Sequence, residues 1–361
     1  MWSERFGSVT HRRYAAHLKM RPLVVFTGQG LALADDFNLT KILRNDPQLE
    51  AECFNLVPEA ERNDLDAVFR ACGGKGARAY DLLINRTRKI CFERRQSDQP
   101  LPQHRALLAA LAKAATERLV LHLTTNIDGF TTRIAVYDFG ATWRARKERS
   151  HQREIENDVV EAYRAQRGLL HFPVHGEVGL LAVQGLPFPG DVLFPGALPK
   201  DDIFQGARLL ETYDVDPEGK PRYSTIYQGI GRNRVKDVPK TMAFSKAGYR
   251  LLGALIAART TQMQYREVPP YRDTPLEPAD LLVVGYGAGG SPERDDYPFE
   301  SVIDRARKAA ALPPADAKWR AFCYKPGEVT PRRTLDWFTA RGFEIVPHED
   351  DLAGAVRTVL G

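Results

Sequence analysis

The chain has 361 residues, enough for two or three lobes around a substantial core, which excludes a short disulfide scaffold. With 43% hydrophobic, 27% charged and 9% aromatic residues, its composition is that of a globular protein, neither disordered nor collagen-like. The 51 Lys+Arg against 46 Asp+Glu leave a net +5, an excess that permits a nucleic-acid partner without demanding one.

Residues 1–22 form a basic N-terminal segment (Arg5, Arg12, Arg13, Lys19 and Arg21 against Glu4) without the apolar stretch of a secretory signal, so a cytoplasmic location is expected. The longest apolar runs, such as Leu281 to Val284, fall far short of the roughly 20 residues of a membrane span, so no membrane segment is expected. Cys53, Cys72, Cys91 and Cys323 include no C-x-x-C pair, which encodes neither a disulfide framework nor a zinc ribbon, and no metal ligand is assigned.

From residue 23 onward, short apolar runs rich in β-branched residues alternate with longer amphipathic stretches. Strands are expected at Leu23 to Thr27, Leu119 to Thr124, Leu169 to Val174, Asp191 to Phe194, Leu281 to Tyr286, Ala321 to Tyr324 and Phe343 to Val346. Helices are expected at Leu31 to Leu43, Gln103 to Arg118, Glu154 to Arg167, Ala247 to Thr260, Phe299 to Ala311 and Arg333 to Arg341, with a last one after the final strand. Strand and helix in alternation predict an α/β fold, a doubly wound, mostly parallel, Rossmann-like sheet spanning 23–361. Two regions break the rhythm: a helical insert at 45–102 with the basic run Arg86 to Arg95, and a second insert at 207–277 holding Gly229 to Arg234. Either insert offers a surface for self-association or for a partner.

Three segments place polar residues just past a strand. Val24 to Leu31 runs from an apolar strand through Gly28-Gln29-Gly30 into a helix. Such a turn lets backbone amides approach a pyrophosphate, or serves only as a tight turn; Leu33 stands where a full G-x-G-x-x-G would have its third glycine. Leu121 to Phe130 ends a strand in Thr125-Asn126-Ile127-Asp128-Gly129, where Asn126 and Asp128 face the ligand crevice of an open sheet or form an ordinary Asx-type turn. Leu169 to Gly176 carries His171 and His175; Pro173 between them argues against a helical metal pair, and His175, next to Gly176, is the one expected to face the crevice.

Taken together the three segments resemble sirtuins. Gly28-Gln29-Gly30 is similar to the sirtuin Gly-Ala-Gly loop, Thr125-Asn126-Ile127-Asp128 to Gln-Asn-Ile-Asp, and Val174-His175-Gly176 to Leu-His-Gly. Asp191 to Pro199 resembles the strand leading to Phe-Gly-Glu-x-Leu-Pro, and Ala279 to Gly285 the Ala-Asp-x-x-Leu-Val-Ile-Gly strand. The zinc cysteines of sirtuin deacylases have no counterpart between Gly176 and Asp191, and of Gly-Ile-Pro-Asp-Phe-Arg only Asp36-Phe37 remains. Those departures resemble the zinc-free sirtuin-like domains of bacterial defence proteins.

The resemblance implies an NAD glycohydrolase in an anti-phage or stress-response system, with NAD as substrate and no zinc. It gives Asn126 the ribose or the attacking water, Asp128 the carboxamide and His175 the general base; Thr27, Gly28, Gln29, Gly30 and Thr125 would line the dinucleotide, and Gly285, Gly287 and Ser291 the adenosine half. An NADase active at all times would harm its host, so regulation by assembly is expected, with the inserts and their Arg86 to Arg95 and Arg232 to Arg234 clusters as surfaces for a homo-oligomer and for a nucleic-acid-linked or ATPase partner protein. A protein deacylase or ADP-ribosyltransferase on the same scaffold, and a non-catalytic NAD- or ADP-ribose-binding subunit, remain the alternatives.

Overall fold

A computed structural model describes residues 21–73, 77–96, 101–126, 128–139, 167–173, 279–289, 297–309 and 317–361, with Leu252 and Ile256 besides. The strand at Asp191 to Phe194, the helix at Glu154 to Arg167 save Arg167 itself, and the insert at 207–277 save Leu252 and Ile256 lie outside these residues.

Six strands are described: β1 (Leu23–Thr27), β2 (Leu119–Thr124), β3 (Gly168–Pro173), β4 (Asp280–Val284), β5 (Trp319–Tyr324) and β6 (Glu344–His348). They form one all-parallel sheet in the order β3-β2-β1-β4-β5-β6, so the winding direction reverses between β1 and β4. This is the doubly wound Rossmann-like arrangement, in which ligands lie past the carboxyl ends of the strands at the reversal. The register brings Thr27 level with both Thr124 and Val284, which aligns the ends of the three central strands.

Every residue of β1 and β2 is buried, because helices cover both faces. The described helices are α1 (Gly30–Leu33), α2 (Leu39–Arg44), α3 (Pro47–Glu52), α4 (Leu65–Ala71), α5 (Arg78–Gln96), α6 (Pro102–Ala115), α7 (Phe130–Arg133), α8 (Tyr297–Ala309), α9 (Arg332–Thr339) and α10 (Leu352–Leu360); α7 continues into one π-helical turn, Ile134–Asp138. On one face Val24, Phe26, Leu121, Leu281 and Val283 pack with Phe299 of α8 and Phe338 of α9; Phe26 and Phe299 stack at 4.0 Å. On the other face Val25, Val120 and Leu282 meet Leu107 and Leu111 of α6 and Leu352 and Val356 of α10. Each such large apolar side chain contributes about 1.5–3 kcal/mol by leaving water.

A third apolar layer joins α2 to α5. Leu43, Leu49, Phe54, Val68, Phe69 and Leu83 pack there with Cys53, Cys72 and Cys91, and Phe37 and Phe130 close it against the sheet end. None of the four cysteines is in a disulfide, and all four are buried.

The single helix expected from Leu31 to Leu43 is two short ones. Asp36 takes a left-handed φ of 56°, which breaks the helical hydrogen bonding, and the Asn38 side chain restarts it by accepting from the Lys41 amide at 2.9 Å. The interruption lifts Asp35 out of a helix and places it beside α6.

α6 has 14 residues, about 21 Å, nearly the length of the six-residue β2, and only 116–118 separate them. Helix and strand are therefore antiparallel neighbours. The first turn of α6, with His104, lies over the carboxyl edge of the sheet.

Candidate functional site

The loops after β1 and β4 touch at the reversal point. The Gly28 amide donates to the Val284 carbonyl at 2.9 Å and the Gly30 amide to the Gly285 carbonyl at 2.8 Å. A Cβ on Gly28 would lie 2.7 Å from the Gly285 carbonyl oxygen, one on Gly30 would lie 2.6 Å from Gly285 Cα, and Gly285 itself has a φ of 61°. The three glycines let two backbones meet, and that contact accounts for all three. The β4 loop is fastened from the far side, where Glu300 accepts from the Gly289 amide at 3.1 Å and the Thr334 hydroxyl donates to the Ala288 carbonyl at 2.8 Å. Gln29 and Gly287 are exposed at this edge, and a Cβ on Gly287 meets nothing within 4 Å.

One strand over, β2 ends in Thr124, Thr125 and Asn126. The Thr125 amide donates to the Thr27 carbonyl at 2.9 Å, which ties the end of β2 to β1. Thr124 Oγ1 accepts from the Asn126 amide at 3.1 Å and turns the chain inward. Asn126 is 6% exposed, yet neither Oδ1 nor Nδ2 has a hydrogen-bond partner. An unmatched buried amide costs about 1–3 kcal/mol, so its persistence at a sheet edge points to a polar ligand. Asp128 is also buried; its Oδ1 accepts from the Phe130 amide at 2.8 Å and starts α7, an Asx-type turn.

Thr27 faces inward. Its hydroxyl lies 3.1 Å from His122 Nε2 and 3.4 Å from the Leu123 carbonyl, and His171 Nδ1 lies 3.0 Å from His122 Nδ1. A carbonyl only accepts, so the hydroxyl donates to Leu123 and receives from His122 Nε2–H. His122 Nδ1 then carries the lone pair and receives from His171 Nδ1–H. Burial, and secondarily the nearby His104, pushes His122 down to about 3. Burial, and then His122, holds His171 well below its ordinary value. Both rings are neutral at physiological pH. His171 and Thr27 thereby form a polar thread through the core.

Asp35 and His104 make a second buried pair that sequence patterns do not reveal, because they stand 69 residues apart with no motif around either. Asp35 Oδ2 lies 2.5 Å from His104 Nδ1 and accepts from the His104 amide at 3.0 Å, while Oδ1 accepts from the Gln103 amide at 2.8 Å. Burial works to raise the Asp35 carboxyl, but the His104 ring and the two amides outweigh it and set it below the ordinary carboxylate value. His104 is fully buried, and its Nε2 has no hydrogen-bond partner.

Of the residues expected at the site, Thr27, Gly28, Gly30, Thr125, Asn126, Asp128 and Gly285 gather at one edge of the sheet, with Gln29 and Gly287 exposed beside them. His175 and Ser291 lie outside the described residues. Among the described residues no group of three or more His, Cys, Asp or Glu is placed to hold a metal ion. The sequence matches no family model and no curated protein.

Proposed function

We propose that the protein is an NAD glycohydrolase, which breaks the bond between nicotinamide and ribose and passes the ribosyl carbon to water. The observation that carries this reading is Asn126: a buried amide with both polar atoms unmatched, at the carboxyl end of β2 and beside the reversal of a doubly wound sheet. The resemblance in Gly28-Gln29-Gly30, Thr125 to Asp128 and Val174 to Gly176 also supports it.

Departure of nicotinamide carries the bonding pair to the ring nitrogen and builds positive charge on the ribose. Water then adds to that carbon and gives up a proton. An asparagine amide offers one acceptor and two donors, which suits it to hold a ribose hydroxyl or the incoming water in line. The resemblance assigns the proton to His175, and it sets the dinucleotide across the Gly28–Gly30 and Gly285–Gly287 loops.

The non-catalytic NAD- or ADP-ribose-binding subunit is the second reading. It is favoured by Asp128 and Thr27, whose polar atoms hold α7 and the buried histidines. Incubating the purified protein with NAD and measuring free nicotinamide and ADP-ribose separates the two. Stoichiometric release in multiple turnovers supports the hydrolase, and dinucleotide binding without release selects the binding subunit.

A further inference from the structure

Three side chains near the end of β2 carry buried polar atoms without a hydrogen-bond partner: His104 through Nε2, Asn126 through Oδ1 and Nδ2, and Thr131 through Oγ1. They are respectively 0%, 6% and 1% exposed. They belong to one neighbourhood. The His104 ring meets the Phe130 ring edge-on at 5.9 Å, Phe130 directly precedes Thr131, and its amide is held by Asp128, two residues past Asn126. Folded proteins leave few such atoms, since each costs about 1–3 kcal/mol, and a polar ligand bound at this end of the sheet would satisfy them.

We propose that His104, fixed by Asp35, is a ligand-binding residue whose Nε2 forms a hydrogen bond with a ribose hydroxyl, with Asn126 and Thr131 holding the neighbouring hydroxyl of the same diol. The proposal rests on the NAD reading above and deepens it by assigning the distal ribose a specific contact. Asp35 fixes the ring. Its carboxylate accepts from Nδ1–H and leaves Nε2 at the far end without a protein partner, where a hydroxyl, which both donates and accepts, pairs with it. Asn126 and Thr131 each offer both donor and acceptor. A vicinal diol supplies two O–H donors and spare lone pairs, and it matches that set. ADP contains the proximal ribose and the diphosphate, whereas ADP-ribose adds the distal ribose. The difference in affinity between the two reads the distal ribose, and its change in a His104 variant reads this contact.

Two substitutions separate binding from a purely structural role. H104N places an amide N–H where Nδ1 stands, so it keeps the Asp35 bond and removes the Nε2 end; H104Q does the reverse. In calorimetric titrations the wild-type protein is expected to bind ADP-ribose at least tenfold more tightly than ADP. H104N is expected to fold normally and erase that preference, and H104Q to unfold more easily while keeping part of it. Thr131→Val, which removes an unpartnered hydroxyl at nearly constant shape, is expected to weaken ADP-ribose several-fold without touching ADP, and it decides the matter if H104N does not fold.

Preference for ADP-ribose retained in H104N, or in T131V should H104N not fold, overturns the proposal, and nicotinamide release by the wild type would then still stand. A wild-type protein that prefers ADP-ribose but releases no nicotinamide overturns hydrolysis and leaves the ribose contact to be judged on these affinities. Equal wild-type affinity for both ligands overturns the contact whatever the turnover.

Discussion

His171 Nδ1 lies 3.0 Å from His122 Nδ1 across the paired registers of β3 and β2, and both rings are fully buried. The fold holds both neutral, His122 down at about 3, whereas in the unfolded chain each returns to about 6.5. The unfolded state thus binds more protons as the pH falls. The stabilisation from neutral rings is complete above about pH 6.5 and is lost progressively toward pH 3, at up to about 1.4 kcal/mol per pH unit for each histidine. Asp35, whose carboxyl is depressed, acts in the same direction, with its stabilisation lost only as the pH drops below its unfolded value of 3.8. Urea unfolding at a series of pH values is expected to show a midpoint falling steadily below about pH 6.5. A midpoint unchanged down to about pH 5 would contradict the buried pair.

The glycine contact between the β1 and β4 loops makes a different kind of demand. Gly30→Ala brings Cβ within 2.6 Å of Gly285 Cα, and Gly285→Ala adds a left-handed φ of 61° to a 2.7 Å approach to the Leu31 amide. Each is expected to cost about 1–3 kcal/mol, read as a lower urea midpoint. Gly287→Ala meets nothing within 4 Å and is expected to change stability by less than about 0.5 kcal/mol. Any loss of ADP binding in that variant then reports contact with the adenosine half.

Asn126→Ala separates function from stability. The amide has no partner to lose, so the unfolding midpoint is expected to stay the same or rise. Nicotinamide release is expected to fall on the order of 10²- to 10³-fold, the usual effect of deleting one stabilising contact to a transition state. His175→Ala is expected to cost about 10²- to 10⁴-fold through the lost proton acceptor. Initial-rate measurements at saturating NAD check both; unchanged turnover in both variants would remove the hydrolase reading.

Arg118 tests the far end of the sheet. Its guanidinium is nearly buried and lies 3.2 Å from Asp280 Oδ2, and Asp280 Oδ1 also accepts from the Lys318 amide at 2.9 Å. Asp280→Ala strands the cation and the amide together. A loss of about 3 kcal/mol in thermal or urea unfolding is expected, with Asp280→Asn in between because it keeps the amide bond.

The fold class was legible because its cause is local. A strand buried on both faces must be continuously apolar, so Leu23 to Thr27 and Leu119 to Thr124 announce themselves with their ends in place. Polar residues just past such strands pointed to Thr125, Asn126 and Asp128 for the same reason. The break at Asp36 was not legible, since it needs a left-handed residue that no glycine marks.

What those residues do at the sheet edge was decided only by the tertiary structure. The Gly-x-Gly turn reads alike whether it cradles a phosphate or meets another loop, and here the Gly285 backbone fills the space a Cβ would take. Thr27 turned inward because the register sets it within reach of His122, a ring from another strand. Asp35 and His104 pair across 69 residues because the length of α6 carries its first turn back to the end of β1. Sequence patterns record the periodic burial of one element against its surroundings; the partner of a lone polar atom is set by crossovers that no local pattern contains.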